Sequence, residues 1–243
     1  PGNVTFQVAT SFGVAQDLAG NQSLPLPVYQ FTTASDPLDR YRYGTTGNDT
    51  FTPTQPQQVF VGGPGVDMLV LPGPRSAYQV SHSQTRYQDY TITNVQAGTQ
   101  HEALNMERVQ FADSKLALDL DGGAAWVAEI LGAVFGRASV ANPSYVGIGL
   151  RLADAGTGFV DLLGYALRAR FGAVPDSTAL VQTLYTNVAG VPPPADVLAF
   201  FVGQLDRGEL TAVDLGQFAA LHPANLANID LVGLAQTGLP YEP

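Results

Sequence analysis

Two short segments carry glycine and aspartate in the same order, and these residue types suit the binding of a hard metal ion. Residues 44–52 (GTTGNDTFT) and 62–70 (GGPGVDMLV) both fit the nine-residue pattern G-x-x-G-x-D-x-apolar-x. Aspartate supplies carboxylate oxygens, and glycine allows tight turns that aim backbone carbonyls inward. Together they can provide the roughly six to eight oxygen ligands that Ca²⁺ prefers. The two segments therefore indicate calcium binding.

The spacing of the two segments places their aspartates side by side. The segments begin at Gly44 and Gly62, two repeat lengths apart, so a degenerate turn fits between them in register, with Gln58 in place of aspartate. Repeats of this kind are typical of a parallel β-roll. In such a roll each nonapeptide supplies one turn and one short strand, and two nonapeptides complete a coil. Asp49 then stacks on Asp67 at one edge, and Gln58 lies at the opposite edge.

We predict one Ca²⁺ between the two stacked turns. The predicted ligand set combines two carboxylates with backbone groups of both turns: Asp49, Asp67, Gly44, Thr46, Gly47, Gly62, Gly63 and Gly65. Two stacked carboxylates without a cation would repel each other. The alternative is that both segments are ordinary Asp/Gly turns, with Asn48 and Asp49 forming an Asx-type turn.

Other residues give weaker indications of chemistry. Asp119 and Asp121 could form a second calcium site, although favourable charge at the start of a helix is the simpler explanation. Three histidines are present, and none has the spacing of a metal ligand: His82, His101 and His222. The sequence has no G-x-S-x-G, P-loop or G-x-G-x-x-G motif. We therefore expect structural histidines, no catalytic residues and no enzymatic activity.

The composition excludes several classes of function. The 243 residues include 21 acidic and 11 basic side chains, for a net charge of −10, and no cysteine. A basic surface for nucleic acid, disulfide bonds and thiolate zinc sites are therefore excluded. Apolar runs stay well below the roughly 18 residues of a membrane span, and residues 1–35 lack the pattern of a signal peptide. An exported chain would need another route.

The chain changes character twice, which predicts an α+β fold in three segments. Residues 1–35 read as two strands, residues 36–121 as a short parallel β-roll with an irregular β extension, and residues 122–243 as an all-α bundle of about six or seven helices. Apolar stripes at helical spacing begin at Val127 and at Leu180. Four aromatic residues are expected to fill the helical core: Trp126, Tyr145, Phe200 and Phe201.

Two resemblances extend this interpretation. The turn DLAGN at residues 17–21 and the strand end FTT at residues 31–33 resemble the last two strands of bacterial Ig-like domains, so we expect residues 1–35 to be the end of such a domain in a longer chain. From residue 44 onward the chain resembles the end of repeat-in-toxin (RTX)-type secreted proteins. This resemblance rests on the nonapeptides and on four later stretches: NMERVQFAD at 105–113, LALDLDG at 116–122, ILGAVFG at 130–136 and LVGLAQTG at 231–238.

The RTX resemblance implies type I secretion through an uncleaved C-terminal signal, residence outside the cell and folding coupled to Ca²⁺. Because the nonapeptide array is short, we expect calcium to act as a local clip that stabilises only the turns that bind it. The expected function is a structural or adhesive role in an exported surface-layer, filament or adhesin protein. Expected partners are the upstream polypeptide, neighbouring copies in a surface assembly and the type I secretion machinery. The alternative is the secretion and folding module of a large exported protease or lipase.

Overall fold

We describe residues 5–8, 29–32, 40–83 and 89–242 of a computed structural model. The fold is α+β, as the sequence predicts: within these ranges it contains two mixed five-stranded sheets, a separate two-stranded sheet and nine helices. Contacts between Cα atoms divide the chain into two units, Pro1–Tyr41 and Arg42–Pro243. No helix in the described ranges combines the length and apolar composition that crossing a membrane requires.

The first unit contains one antiparallel pair of strands. Strand β1 (Thr5–Val8) pairs with β2 (Tyr29–Thr32), with Thr5 opposite Thr32 and Val8 opposite Tyr29. Both strands lie where alternating apolar and polar residues predict them. The predicted DLAGN turn and the first residues of the second predicted segment, 36–39, lie outside the described residues.

The two five-stranded sheets use ten strands: β3 (Tyr41–Tyr43), β4 (Thr50–Phe51), β5 (Gln57–Val61), β6 (Met68–Val70), β7 (Gln79–His82), β8 (Asp89–Asn94), β9 (Thr99–Leu104), β10 (Arg108–Gln110), β11 (Lys115–Ala117) and β12 (Leu239–Tyr241). One sheet has the order β12-β11-β10-β6-β4, and the other has the order β3-β5-β9-β8-β7. A short 3₁₀ helix at Arg75–Ala77 precedes β7.

The chain passes three times from the sheet that contains β3 to the sheet that contains β4. These passages define three coils: coil 1 (residues 42–51), coil 2 (57–70) and coil 3 (99–110). Strands β4, β6 and β10 are parallel, so that Phe51 lies opposite Leu69 and Leu69 lies opposite Val109. The offset between Phe51 and Leu69 equals two nonapeptides, which matches the predicted repeat. Coil 3 follows an inserted hairpin, β7–β8. The nonapeptide pattern does not predict this third coil.

Apolar side chains between the two sheets form the core of the coils. Phe60, Leu69, Ile92 and Val109 are buried there, together with other apolar and aromatic residues such as Tyr90. Burial of these side chains fixes which face of each strand points inward, because a shift of one residue would turn every side chain to the other face. The apolar positions therefore set the register of the coils.

Nine helices follow the sheets in the described chain: α1 (Gly123–Phe135), α2 (Arg137–Val140), α3 (Pro143–Asp154), α4 (Phe159–Phe171), α5 (Ser177–Ala189), α6 (Ala195–Asp206), α7 (Ala212–Ala220), α8 (Pro223–Asn228) and α9 (Leu231–Thr237). The sequence predicts about six or seven helices; six of the nine are at least as long as α7, and the other three have seven residues or fewer. Several boundaries follow local signals. Thr211 and Asp214 form a capping box at the start of α7, and Gly190 ends α5 in the left-handed conformation.

The expectation that four aromatic residues fill the helical core is wrong for three of them. Trp126 is 36% exposed, Tyr145 48% and Phe200 58%, whereas Phe201 packs partly buried against the core. The core consists mainly of aliphatic residues of the predicted stripes, such as Val127 on α1 and Leu180 on α5.

Asn225 and Glu129 are polar side chains buried among the apolar residues of the helices. Asn225 is fully buried, and its amide nitrogen donates to the backbone oxygens of Glu129 (3.0 Å) and Ala220 (2.7 Å). The Glu129 side chain is 7% exposed, and its Oε2 has no hydrogen-bond partner in the described chain. Burial raises the pKa of Glu129 to about 7, because desolvation disfavours the charged form.

The chain returns from the helices to the sheet, which corrects the expectation that residues 122–243 are all helical. Strand β12 pairs antiparallel with β11, and the next residue, Glu242, donates its backbone N–H to the oxygen of Pro143 at 3.0 Å. Helix α3 therefore packs directly on the end of this strand. Gly147 makes the close approach possible, because a Cβ there would overlap the backbone oxygen of Glu242.

This contact predicts opposite effects for two helical glycines. We expect Gly147→Ala to lower the free energy of unfolding by about 1–3 kcal/mol, because the added methyl group must displace β12 or α3. Gly164→Ala in α4 is the matched control, since its Cβ would meet open space. We expect that change to raise stability by about 0.5–1 kcal/mol, the usual helical preference for alanine. Urea unfolding of both variants tests the contact, and equal effects would contradict it.

The buried carboxyl of Glu129 predicts a pH dependence of stability. Between the ordinary glutamate pKa of about 4.3 and about 7, the folded protein keeps this proton and the unfolded chain loses it. The free energy of unfolding should therefore fall as the pH rises through this window. We expect Glu129→Gln to reduce the slope, since an amide cannot titrate. Urea unfolding at several pH values measures both slopes, and an unchanged slope would show that Glu129 titrates normally.

Candidate metal centre

Three carboxylates lie immediately before three parallel strands. Asp49 precedes β4, Asp67 precedes β6 and Glu107 precedes β10. Because Thr50, Met68 and Arg108 lie opposite one another in the register, the acidic residues before them are also aligned. We call these three acidic residues the carboxylate stack. Asp49 and Asp67 are the predicted pair, whereas Glu107 is an addition from coil 3.

Hydrogen bonds from backbone N–H groups to side-chain carboxylates join the members of the carboxylate stack from one coil to the next. The N–H of Asp49 donates to Asp67 Oδ1 at 2.7 Å, and the N–H of Asp67 donates to Glu107 Oε2 at 2.7 Å. At the outer end, Asp49 Oδ2 accepts from the backbone N–H of Thr45 (2.6 Å) and from its hydroxyl (2.9 Å). Each coil is thus linked to the next through a carboxylate.

The carboxylate stack is electrostatically unfavourable when all of its members are charged. Burial raises the pKa of Glu107 to about 7, and the charges of Asp67 and Asp119 act in the same direction. Burial also raises the pKa of Asp67, with a further increase from the charge of Asp49. Like charges at short distance disfavour ionisation of each other. A cation at this edge would relieve the repulsion.

One oxygen of the carboxylate stack is buried without a partner. Asp67 is 0% exposed, and its Oδ2 accepts no hydrogen bond in the described chain. Leaving a buried acceptor unsatisfied costs about 1–3 kcal/mol, and more when the group is charged. The same oxygen and the carbonyl oxygen of Asn105 both approach Gly62 so closely that a Cβ there would collide with them.

Carbonyl oxygens of the first turn face the second turn. The carbonyl oxygens of Thr45 and Gly47 each lie 2.8 Å from the position that a Cβ would take on Gly63 and Gly65, respectively. Both of the latter glycines have positive φ angles, +100° and +137°, which other residues rarely adopt. Glycine is therefore required twice over at these positions, by conformation and by space.

The predicted ligand residues are brought together by this stacking. The backbone N–H of Gly44 donates to the oxygen of Val61 at 2.8 Å, and the oxygen of Gly62 approaches Gly44 from coil 2. Thr46 is exposed in the first turn. The carbonyl oxygen of Thr45, a residue outside the predicted ligand set, also faces the second turn. Which of these groups bind a metal ion stays a prediction.

At the opposite edge of the coils, the side chain of Gln58 is satisfied by groups of its own turn. Gln58 is buried, and its Oε1 accepts from the backbone N–H groups of Thr54 (2.8 Å) and Gln55 (3.1 Å). Its Nε2 donates to the hydroxyl of Thr54 at 3.3 Å. A neutral amide thus completes this turn, in contrast to the unpartnered carboxylate oxygen at the other edge.

The donor groups fit a hard cation bound partly by the backbone. Within the described ranges no three His, Cys, Asp or Glu side chains are grouped so that they could hold a metal ion by themselves. A cation here would therefore need carbonyl oxygens in addition to carboxylates, which is the mixed oxygen environment that Ca²⁺ accepts. The unpartnered Asp67 Oδ2 is the observation that agrees with such a ligand.

Asp119, one residue of the possible second calcium site, has partners within the protein. Arg108 is 1% exposed, and its guanidinium donates to Asp119 and Asp154 and to the backbone oxygen of Glu107. Asp119 Oδ2 also accepts from the N–H of Ala124 at 3.2 Å, in the first turn of α1. These contacts give Asp119 a structural role that needs no metal. Calcium binding by Asp119 and Asp121 stays a prediction.

The three histidines make structural contacts. His101 is buried beside Phe60, with 5.8 Å between ring centroids, and burial lowers its pKa. His222 accepts from the N–H of Ala224 at the start of α8, at 3.2 Å. The ring of His82 packs edge-on against Tyr90, with 4.9 Å between centroids.

Comparisons with known proteins give no relatives. No protein-family model, no curated protein and no solved structure matches the chain. The function of the chain must therefore be inferred from the geometry of the coils and from the resemblances in the sequence.

The buried position of Arg108 predicts a large loss of stability when it is replaced. We expect Arg108→Ala to lower the free energy of unfolding by about 3–5 kcal/mol, because Asp119 then remains buried without its counter-ion. Arg207→Ala is the control, since Arg207 pairs with Glu209 on the exposed surface and should matter little. Urea unfolding of both variants measures the difference. A small effect at Arg108 would mean that water replaces the guanidinium.

Proposed function

We propose that the protein is a non-enzymatic, calcium-stabilised part of a secreted bacterial surface protein with a structural or adhesive role. In this proposal one Ca²⁺ lies between the first two turns, held by Asp49, Asp67 and backbone carbonyls. The observation that carries the proposal is the unpartnered, fully buried Oδ2 of Asp67 beside a second aspartate two nonapeptides earlier in the chain.

Calcium suits this place better than other ions. The available donors are carboxylate and carbonyl oxygens, which are hard ligands, and the described turns bring no histidine to the carboxylate stack. A divalent cation offsets the repulsion between Asp49 and Asp67 and gives the buried oxygen a partner. Extracellular modules bind Ca²⁺ at about 10⁻⁴ to 10⁻³ M. The site would then fill outside the cell and stay empty in the calcium-poor cytosol.

The finer architecture belongs to the same proposal. The alternation of coils 1 to 3 between two sheets supports a short parallel β-roll, with β7–β8 as an insertion. The antiparallel pair β1–β2 supports an Ig-like remnant, since the last two strands of such a domain would be paired in this way. The proposed export route is type I secretion, for which the absence of cysteine is suitable because the chain needs no disulfide bonds outside the cell.

An exposed apolar groove supports the adhesive part of the proposal. It lies between α1, α3 and α4 and has a volume of about 380 Å³. Tyr145, Ile148 and Tyr165 line it and are about half exposed. Clustered apolar side chains on a protein surface mark interaction sites more often than isolated ones do. Neighbouring copies in a surface assembly are the proposed partners.

The calcium site predicts a cation-dependent melting temperature. We expect about 1 mM Ca²⁺ to add roughly 1 kcal/mol relative to EGTA, which raises Tm by about 2–4 °C for a chain of this size. Asp67→Asn should remove this difference, because it weakens the central carboxylate. Asp161→Asn is the matched control: it removes the same charge from the exposed start of α4 and should keep the full shift. Differential scanning calorimetry measures all three proteins.

Three results would count against the calcium proposal. Identical melting curves of the native protein in Ca²⁺ and EGTA would exclude a stabilising site. A shift that persists in Asp67→Asn would place the calcium elsewhere. Equal shifts with Mg²⁺ and Ca²⁺ would indicate general screening of the net charge rather than a defined site.

A further inference from the structure

Coil 3 repeats the geometry of the first two coils without repeating their sequence. Between β9 and Glu107 the chain has only Asn105 and Met106, in place of a glycine-rich turn. Even so, Glu107 accepts the N–H of Asp67 at 2.7 Å, just as Asp67 accepts the N–H of Asp49. The relation between coils 2 and 3 thus matches the relation between coils 1 and 2.

The unpartnered oxygen of Asp67 lies beside Gly62 of coil 2, at the place where coil 3 also approaches coil 2. Asp67 Oδ1 is used by the N–H of Asp49 in coil 1. Asp67 Oδ2 approaches Gly62, and so does the carbonyl oxygen of Asn105 in coil 3. Asn105 has a left-handed backbone, with φ of 51°, which is an uncommon conformation for a residue other than glycine. Two oxygens without an N–H between them therefore meet at the junction of coils 2 and 3.

The nearest arginine does not supply the missing positive charge at this junction. Arg108 follows Glu107, but its guanidinium donates to Asp119 and Asp154 on the helical side and to the backbone oxygen of Glu107. Glu107 accepts the N–H of Asp67, and the two carboxylates together bring a net charge of about −2 to this junction when both are ionised. This charge and these donors match one divalent cation with oxygen preference.

We infer that the carboxylate stack holds a second Ca²⁺ ion, between coils 2 and 3, with Asp67 Oδ2, the Glu107 carboxylate and the Asn105 carbonyl as ligands. The inference rests on the proposed function, because Asp67 is shared with the first ion. Asp67 then bridges two cations, and Asp49 and Glu107 each contribute to only one of them.

Counting bound calcium tests this inference. The probe is Ca²⁺ alone, measured by equilibrium dialysis of the full chain at several millimolar free Ca²⁺. We expect two ions for the native protein, one for Asp49→Asn, one for Glu107→Gln and none for Asp67→Asn. Glu209→Gln is the control, since it removes an exposed carboxylate of the helical region and should still bind two. Circular dichroism verifies that each variant is folded.

The outcomes separate this inference from the proposed function. No bound calcium in the native protein would overturn both. One ion in the native protein would overturn the inference of two ions, and this result does not depend on any variant folding. If that single ion is lost in Asp49→Asn but kept in Glu107→Gln, it lies between coils 1 and 2, as the proposed function requires. Two ions in both the native protein and Glu107→Gln would place the second ion away from Glu107.

Discussion

The parallel register of the three coils is the constraint on which the rest of the structure depends. Leu69 and Val109 are buried in one ladder with the partly buried Phe51, and this fixes the register, because a slip of one residue would turn all three side chains to the other face. The same register forces like-charged residues into contact at the edge, since Asp67 lies two residues before Leu69 and Glu107 two residues before Val109. Apolar packing thus creates an electrostatic problem that the backbone N–H donors solve only in part. Protonation of Glu107, whose pKa is raised to about 7, or a bound cation would relieve the remaining repulsion.

The register also determines how the coils meet the helices. Arg108 is the first residue of β10 and directly follows Glu107, so its position depends on the alignment of the carboxylate stack. Its guanidinium pairs with Asp119, before α1, and with Asp154, at the end of α3. Tyr90 adds a second connection: its hydroxyl lies 2.9 Å from the oxygen of Leu118 and 2.8 Å from that of Ala235 in α9. Together with the return of β12 to the sheet, these contacts explain why residues 42–243 form one unit by contact.

The sequence predicts best what short-range signals encode. The offset of two nonapeptides between Asp49 and Asp67 is read directly from the sequence, and the parallel register of β4 and β6 has the same offset. Coil 3 is missed because a hairpin separates it from coil 2 and its turn has lost the glycines. A third copy of the order acid-x-apolar, at Glu107 to Val109, is the signal that could have revealed it. Exposure of Trp126 could not be predicted, because an apolar residue type does not specify which helical face meets solvent.

The two ends of the carboxylate stack differ in what holds them, and this difference explains where a cation would matter. Coil 3 is anchored by β11, by Arg108 and by the helices behind it. The turn of coil 1 is largely exposed and reaches coil 2 through a few hydrogen bonds, such as those from Gly44 to Val61 and from Val66 to Asn48. Little apolar burial supports this turn, so its stability depends more on electrostatics than that of coil 3 does. Calcium between coils 1 and 2 would therefore act as a local clip at the weakest part of the coils, while aliphatic packing holds the helical region.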